Sequence, residues 1–120
     1  MAQLHKDLYP KSSDMIREKI EVRRLDSLAH DLVTSPDIFV KMDVQGFEDK
    51  VILGGRETLS KAKVIIAETS FATLYENQPL FGDIHNLLRS LGFSYRGNCA
   101  EHFSPKTGER IYEDSVFTKP

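Results

Sequence analysis

The sequence has little cysteine, no excess of one charge and no long apolar run, and each shortage removes a class of function. Cys99 is the single cysteine among 120 residues. It cannot close an intrachain disulfide, and no pair of cysteines stands at metal-binding spacing. A lone thiol fits a reducing compartment. Sixteen Lys and Arg face eighteen Asp and Glu, for a formal net charge of −2. The two signs are interspersed, so no basic stripe is present to follow a nucleic acid backbone. No stretch approaches the roughly 20 apolar residues of a membrane helix. The opening MAQLHKDLYPKSS has no apolar core of signal-peptide length. These features predict a cytoplasmic chain with neither nucleic acid nor membrane as partner. Internal repeats and low-complexity tracts are also missing.

What is present is the composition of an ordinary folded domain. Hydrophobic residues make up 40% and charged residues 28%, which argues against disorder. The length suits one small domain. Residues 1–19 read as a polar leader or linker stub, with the domain proper over 20–120. Ile20 and Val22 alternate with Glu21 and Arg23, which favours a strand at 19–24; Met15, Ile16 and Ile20 also suit one helical turn. Asp26 can cap a helix over 27–33 carrying the stripe Leu25, Leu28, Ala29 and Leu32. Thr34-Ser35-Pro36 ends it.

IFVKMDV at 38–44 has apolar groups on both faces, as expected of an interior strand. Gln45-Gly46 is a tight turn, and a helix is expected from 47 to 60. KVIIAE at 63–68 is a second strand. A loop then leads to a helix at 80–91 with Ile84, Leu87, Leu88 and Leu91 inward. FSYRGN at 93–98 and RIYEDSVFTK at 110–119 are the last strands, joined across turn-forming PKTG at 105–108. This order predicts an α/β fold: a parallel βαβ step followed by antiparallel closing strands.

In such sheets ligands sit beyond the carboxyl ends of the parallel strands. Asp43 closes one strand and Glu68 the other, so neighbouring strands would set both acids on one rim. Acids so placed can bind a divalent cation, tune each other for acid–base work, or accept hydrogen bonds from ligand hydroxyls and amines. Asp43 also suits a structural use, binding the amides of the Gln45-Gly46 turn. Glu48 suits the dipole of the following helix. Glu68 ends an apolar strand, where an unpartnered carboxylate is costly, and is the stronger site candidate. His85 borders the buried stripe of its helix. His5, His30 and His102 show no spacing that assembles a metal site. Cys99 has no base nearby in sequence.

FVKMDVQGFEDKVILGG at 39–55 resembles the signature of the FkbM methyltransferases, in which a strand ending Lys-x-Asp runs into Gly-x-Glu and a Leu-x-Gly helix. IEVRRLDSL at 20–28, IIAETSFATLYENQPLF at 65–81, LRSLGFSY at 88–95 and DSVFTK at 114–119 extend the resemblance over about residues 20–119. It implies the C-terminal half of a Rossmann-like methyltransferase sheet, S-adenosylmethionine as cofactor and a small-molecule or sugar hydroxyl as acceptor. It matches Asp43 and Glu68 to the catalytic rim. Asp43 and Gln45 fall toward the cofactor, and Lys41, Glu48 and Tyr75 toward the acceptor. The family's glycine-rich cofactor turn has no counterpart: no Gly-x-Gly occurs, and Gly54-Gly55 falls within helix 47–60. Backbone cannot approach a ligand closely without such glycines, so the chain alone is expected to bind S-adenosylmethionine weakly or not at all. The neighbour that the 38–44 strand has in the complete family fold is also missing. That edge is expected to pair with a second copy, as a homodimer, or with a partner segment. A non-catalytic interaction module and a metal-dependent hydrolase are the alternative readings.

Overall fold

The computed structural model describes residues 15–32 and 35–120; most of the expected leader lies outside them, as does Thr34. Four strands form one mixed sheet: β1 (Phe39–Met42), β2 (Val64–Ser70), β3 (Ser94–Phe103) and β4 (Arg110–Thr118), in the spatial order β1-β2-β4-β3. β1 and β2 run parallel, from Phe39 opposite Val64 to Met42 opposite Ala67. β4 pairs antiparallel with both β2 and β3. The mixed sheet agrees with the expected order of a parallel step and antiparallel closing strands.

Side-chain alternation decides which face is the core. Ile65, Ala67 and Thr69 of β2 are buried, opposite Phe117, Ser115 and Glu113 of β4. The apolar part of this face packs under Ile84 and Leu88 of a helix at Phe81–Ser90 and joins Met42, Ile52, Leu59 and Phe93 in one cluster. Burying each large side chain contributes about 1.5–3 kcal/mol. The other face carries Val64, Ile66 and Glu68 of β2 with Asp114 and Val116 of β4, all half-buried.

The remaining helices are α1 (Leu25–Leu32), α2 (Glu48–Gly54) and α3 (Arg56–Ser60); the helix over the core is α4. The single helix expected over 47–60 is therefore two. Gly55 separates them. A Cβ there would lie 2.7 Å from Leu25 Cδ2 and 3.0 Å from Val51 O, so α1 docks where only glycine leaves room. Asp26 is likewise not the cap of its own helix. It lies in the first turn of α1 and accepts from the Glu57 and Thr58 N–H groups, at 3.1 and 2.9 Å, and from Thr58 Oγ1 at 2.7 Å. It closes the amino end of α3.

The strand expected at 19–24 does not form. Residues 15–24 have no regular structure, and Ile20 and Val22 are 79% and 84% exposed. A strand needs a ladder for its N–H and C=O groups, and no described strand lies beside this segment. β1 is shorter than 38–44 because the Val44 N–H turns to the Glu48 carboxylate at 3.1 Å. β2 and β3 are longer than expected because β4 carries the pairing on to Ser70 and to Phe103. Among the described residues no helix is long and apolar enough to cross a membrane.

Candidate active site

The parallel pairing ends with Met42 opposite Ala67. The next residues are Asp43 and Glu68, so both acids emerge side by side on one rim. On the other side of β2, Glu68 stands in register with Asp114 of β4. Glu68 has its proton affinity raised to about 8. Burial is the first cause; the charge and hydrogen bond of Asp43 come next, then the charges of Glu48 and Asp114. Glu68 is thereby brought near neutrality, in the range where a general base works best.

Glu48, expected on the acceptor side, is 3% exposed and points back at the turn. Its two oxygens accept from Val44 N–H at 3.1 Å and Gly46 N–H at 3.0 Å. Those turn amides, expected for Asp43, belong to Glu48, which frames the turn that presents Asp43. Gln45 in that turn is exposed and adopts φ 51°. Lys41 is exposed in β1, two residues before Asp43. Gly46 has φ 98°, and a Cβ there would stand 3.2 Å from Tyr75 Cβ and Cδ2. Tyr75 is half-buried and packs against Leu74, Ile111 and Tyr112.

The loop after β2 is gathered by Gln78. Its Oε1 accepts from the Leu74 and Tyr75 N–H groups at 2.7 and 3.1 Å, and its Nε2 donates to Ser70 Oγ at 2.6 Å. Asp114 escaped sequence reasoning, although it carried a usable signal, since it shares a strand face with Tyr112 and Val116.

A second polar cluster lies on the core face. Glu113 is fully buried and accepts from Tyr95 Oη and Ser115 Oγ, each at 2.6 Å, and from Asn98 Nδ2 at 2.8 Å. Arg110 is 3.2 Å away. Burial alone would raise its proton affinity, but these hydrogen bonds and the Arg110 charge hold it below the usual carboxylate range. Burial and the Glu113 carboxylate push the Tyr95 phenol up. This cluster points away from the Asp43–Glu68 rim and ties β3 to β4.

Two of the histidines pack on aromatic rings. His85 stacks on Phe81 at 5.6 Å between ring centres, His102 stacks on Tyr112 at 4.2 Å, and His30 is exposed. His5 lies outside the described residues. Cys99 is exposed. Among the described residues no group of three or more His, Cys, Asp or Glu side chains is arranged to hold a metal ion.

β1 is the sheet's outer strand, with β2 its one partner among the described strands. Phe39 is 61% exposed there. Near the strand's end lies a mainly apolar groove of about 700 Å³, whose lining includes Ile20, Val22, Val44 and Phe47.

A family model described as the methyltransferase FkbM domain matches residues 2–95. Over 71 residues the chain is 42% identical to the 2-O-methyltransferase NoeI of Sinorhizobium fredii (strain NBRC 101917 / NGR234), covering 59% of this chain and 29% of that protein. The chain thus spans under a third of the curated relative it matches. No solved structure matches.

Proposed function

The chain belongs to the methyltransferase FkbM domain family, and from that premise we propose that it supplies the acceptor side of an enzyme methylating a hydroxyl oxygen. The observation that carries this reading is the side-by-side placement of Asp43 and Glu68 where two parallel strands end their pairing, with burial and the Asp43 charge raising the proton affinity of Glu68. The relative's name, a 2-O-methyltransferase, supports an oxygen acceptor, and a sugar or other small polyol is the acceptor class proposed.

In this reading Glu68, once ionised, accepts the acceptor's O–H hydrogen bond and takes its proton as the oxygen forms its new bond to carbon. A carboxylate of raised proton affinity does this better than an ordinary one. Asp43 strengthens Glu68 as a base by its charge, and Glu48 keeps Asp43 in place through the turn. Lys41 and Tyr75 border the acceptor. S-adenosylmethionine, when bound, would supply the methyl group from a positively charged sulfur, which would keep the electrons of the broken carbon–sulfur bond and leave as a neutral thioether. The exposed carboxylate and amide of Asp43 and Gln45 are of the right type to hold its amine and hydroxyl groups. Gly46, a rim glycine whose bare backbone a ligand could approach, is covered by Tyr75, so these residues would make only part of a cofactor seat.

The test is a chimera joining this chain to the remainder of the Sinorhizobium relative, supplied with methyl-labelled S-adenosylmethionine and a set of sugars. Label should appear on a sugar oxygen. Glu68→Gln should reduce the rate about 10²–10⁴-fold while cofactor binding persists. A chimera that keeps its full rate with Glu68→Gln contradicts the assignment.

The open β1 edge and the groove beside it favour a second property. We propose that this edge pairs with a second copy of the chain, because a strand edge with no partner among the described strands and with Phe39 exposed is a template for strand addition.

A further inference from the structure

We propose that Gln78 is a positioning residue, whose three hydrogen bonds fold the loop after β2 so that Tyr75 presses on Gly46 and holds the Asp43 turn against Glu68. The inference rests on the Asp43–Glu68 reading above and adds to it the device that keeps the two strand ends together.

The geometry runs in one chain of contacts. Gln78 uses every polar atom of its amide within the loop: Oε1 on the Leu74 and Tyr75 N–H groups, Nε2 on Ser70 Oγ. Ser70 is the last residue of β2 and is 1% exposed, so the loop is moored to the rigid sheet. Between those anchors the backbone places Tyr75 over Gly46, close enough that a Cβ would meet the ring and Cβ of Tyr75 at 3.2 Å. Gly46 belongs to the turn that Glu48 grips through Val44 and Gly46 N–H. One side chain therefore fixes each turn, and the Tyr75–Gly46 contact joins the two turns. Neither turn belongs to the ladder: the β1–β2 pairing stops at Met42 and Ala67. Beyond that point this contact does what strand pairing does below it.

Amide hydrogen exchange by NMR on this chain tests the inference, comparing wild type with Gln78→Ala, Gln78→Glu and Ser70→Ala. Gln78→Ala should speed exchange at Leu74 and Tyr75 and, through Tyr75, at Val44 and Gly46 by about tenfold or more. It should also move the Glu68 titration midpoint downward, as Asp43 leaves its partner. Gln78→Glu keeps both backbone acceptor contacts and can still accept from Ser70, so it should restore protection at Val44 and Gly46. If Gln78→Ala does not fold, Ser70→Ala removes the mooring alone and should produce the same pattern in weaker form. Faster exchange confined to 74–78, with Val44, Gly46 and the Glu68 midpoint unmoved, overturns the proposal. A wild-type Glu68 that titrates as an ordinary carboxylate counts against the acid pair instead, while the exchange at Val44 and Gly46 still decides the role of Gln78.

Discussion

Asp26 of α1 caps a helix that is not its own, holding Thr58 of α3 by both backbone N–H and side-chain hydroxyl. The contact joins residues 32 positions apart, so it is a tertiary tie as well as a cap. Burial would raise the carboxyl's proton affinity, but the hydrogen bonds from Thr58 and Glu57 lower it. Asp26→Ala should cost about 0.5–2 kcal/mol, the range for a lost N-cap, with Asp26→Asn nearer wild type. Urea unfolding at neutral pH measures both.

Glu113 and Glu68 should bend the stability–pH curve in opposite directions. Glu113 is held below its ordinary range, so the folded chain binds fewer protons there than the unfolded one. Its stabilisation is present above the unfolded value and is lost as pH falls through the folded one. Unfolding midpoints of wild type and Glu113→Gln should therefore differ most near neutrality and converge in acid. A gap that is constant with pH would show that Glu113 acts through packing alone.

Association through the edge strand has a simple readout. Light scattering over rising concentration should show a dimer, and Phe39→Lys, which places a charge on the exposed edge, should weaken it. A clean monomer at high concentration contradicts the pairing.

Replacing Asp43 by Asn removes a charge beside Glu68 but not its burial. Because burial is the first cause of the raised affinity and Asp43 the second, the Glu68 midpoint should fall only part of the way to 4.5. A complete return would mean that Asp43, not burial, sets the value.

Much of the sheet was legible because its strands carry their own signals. VIIAE is an apolar run ending in an acid, and it became β2 with Glu68 at the rim. The 93–98 and 110–119 segments became an antiparallel pair. Failures came where tertiary contacts override local pattern. IEVRR alternates like a strand, yet without a neighbouring ladder it stays irregular and exposed. The 47–60 periodicity reads as one helix, and only the docking of Leu25 on Gly55 divides it. Asp26 reads as the cap of its own helix, but it lies within the first turn and its carboxylate reaches a segment that local reading cannot bring near. At the rim, strand ends and the period of two located Asp43 and Glu68. The roles of Glu48 and Gln78 depend on how two turns fold back, which no spacing along the chain records.

The most direct test of the account is the titration of the Glu68 side-chain carboxyl, followed by carbon NMR from pH 3 to pH 10. The account gives a midpoint of about 8. With it, the stabilisation relative to Glu68→Gln should be full below about 4.5 and lost as pH rises through about 8, because the raised affinity favours the protonated folded state. A midpoint near the ordinary 4.5 would contradict the raised affinity and, with it, the base assigned to Glu68.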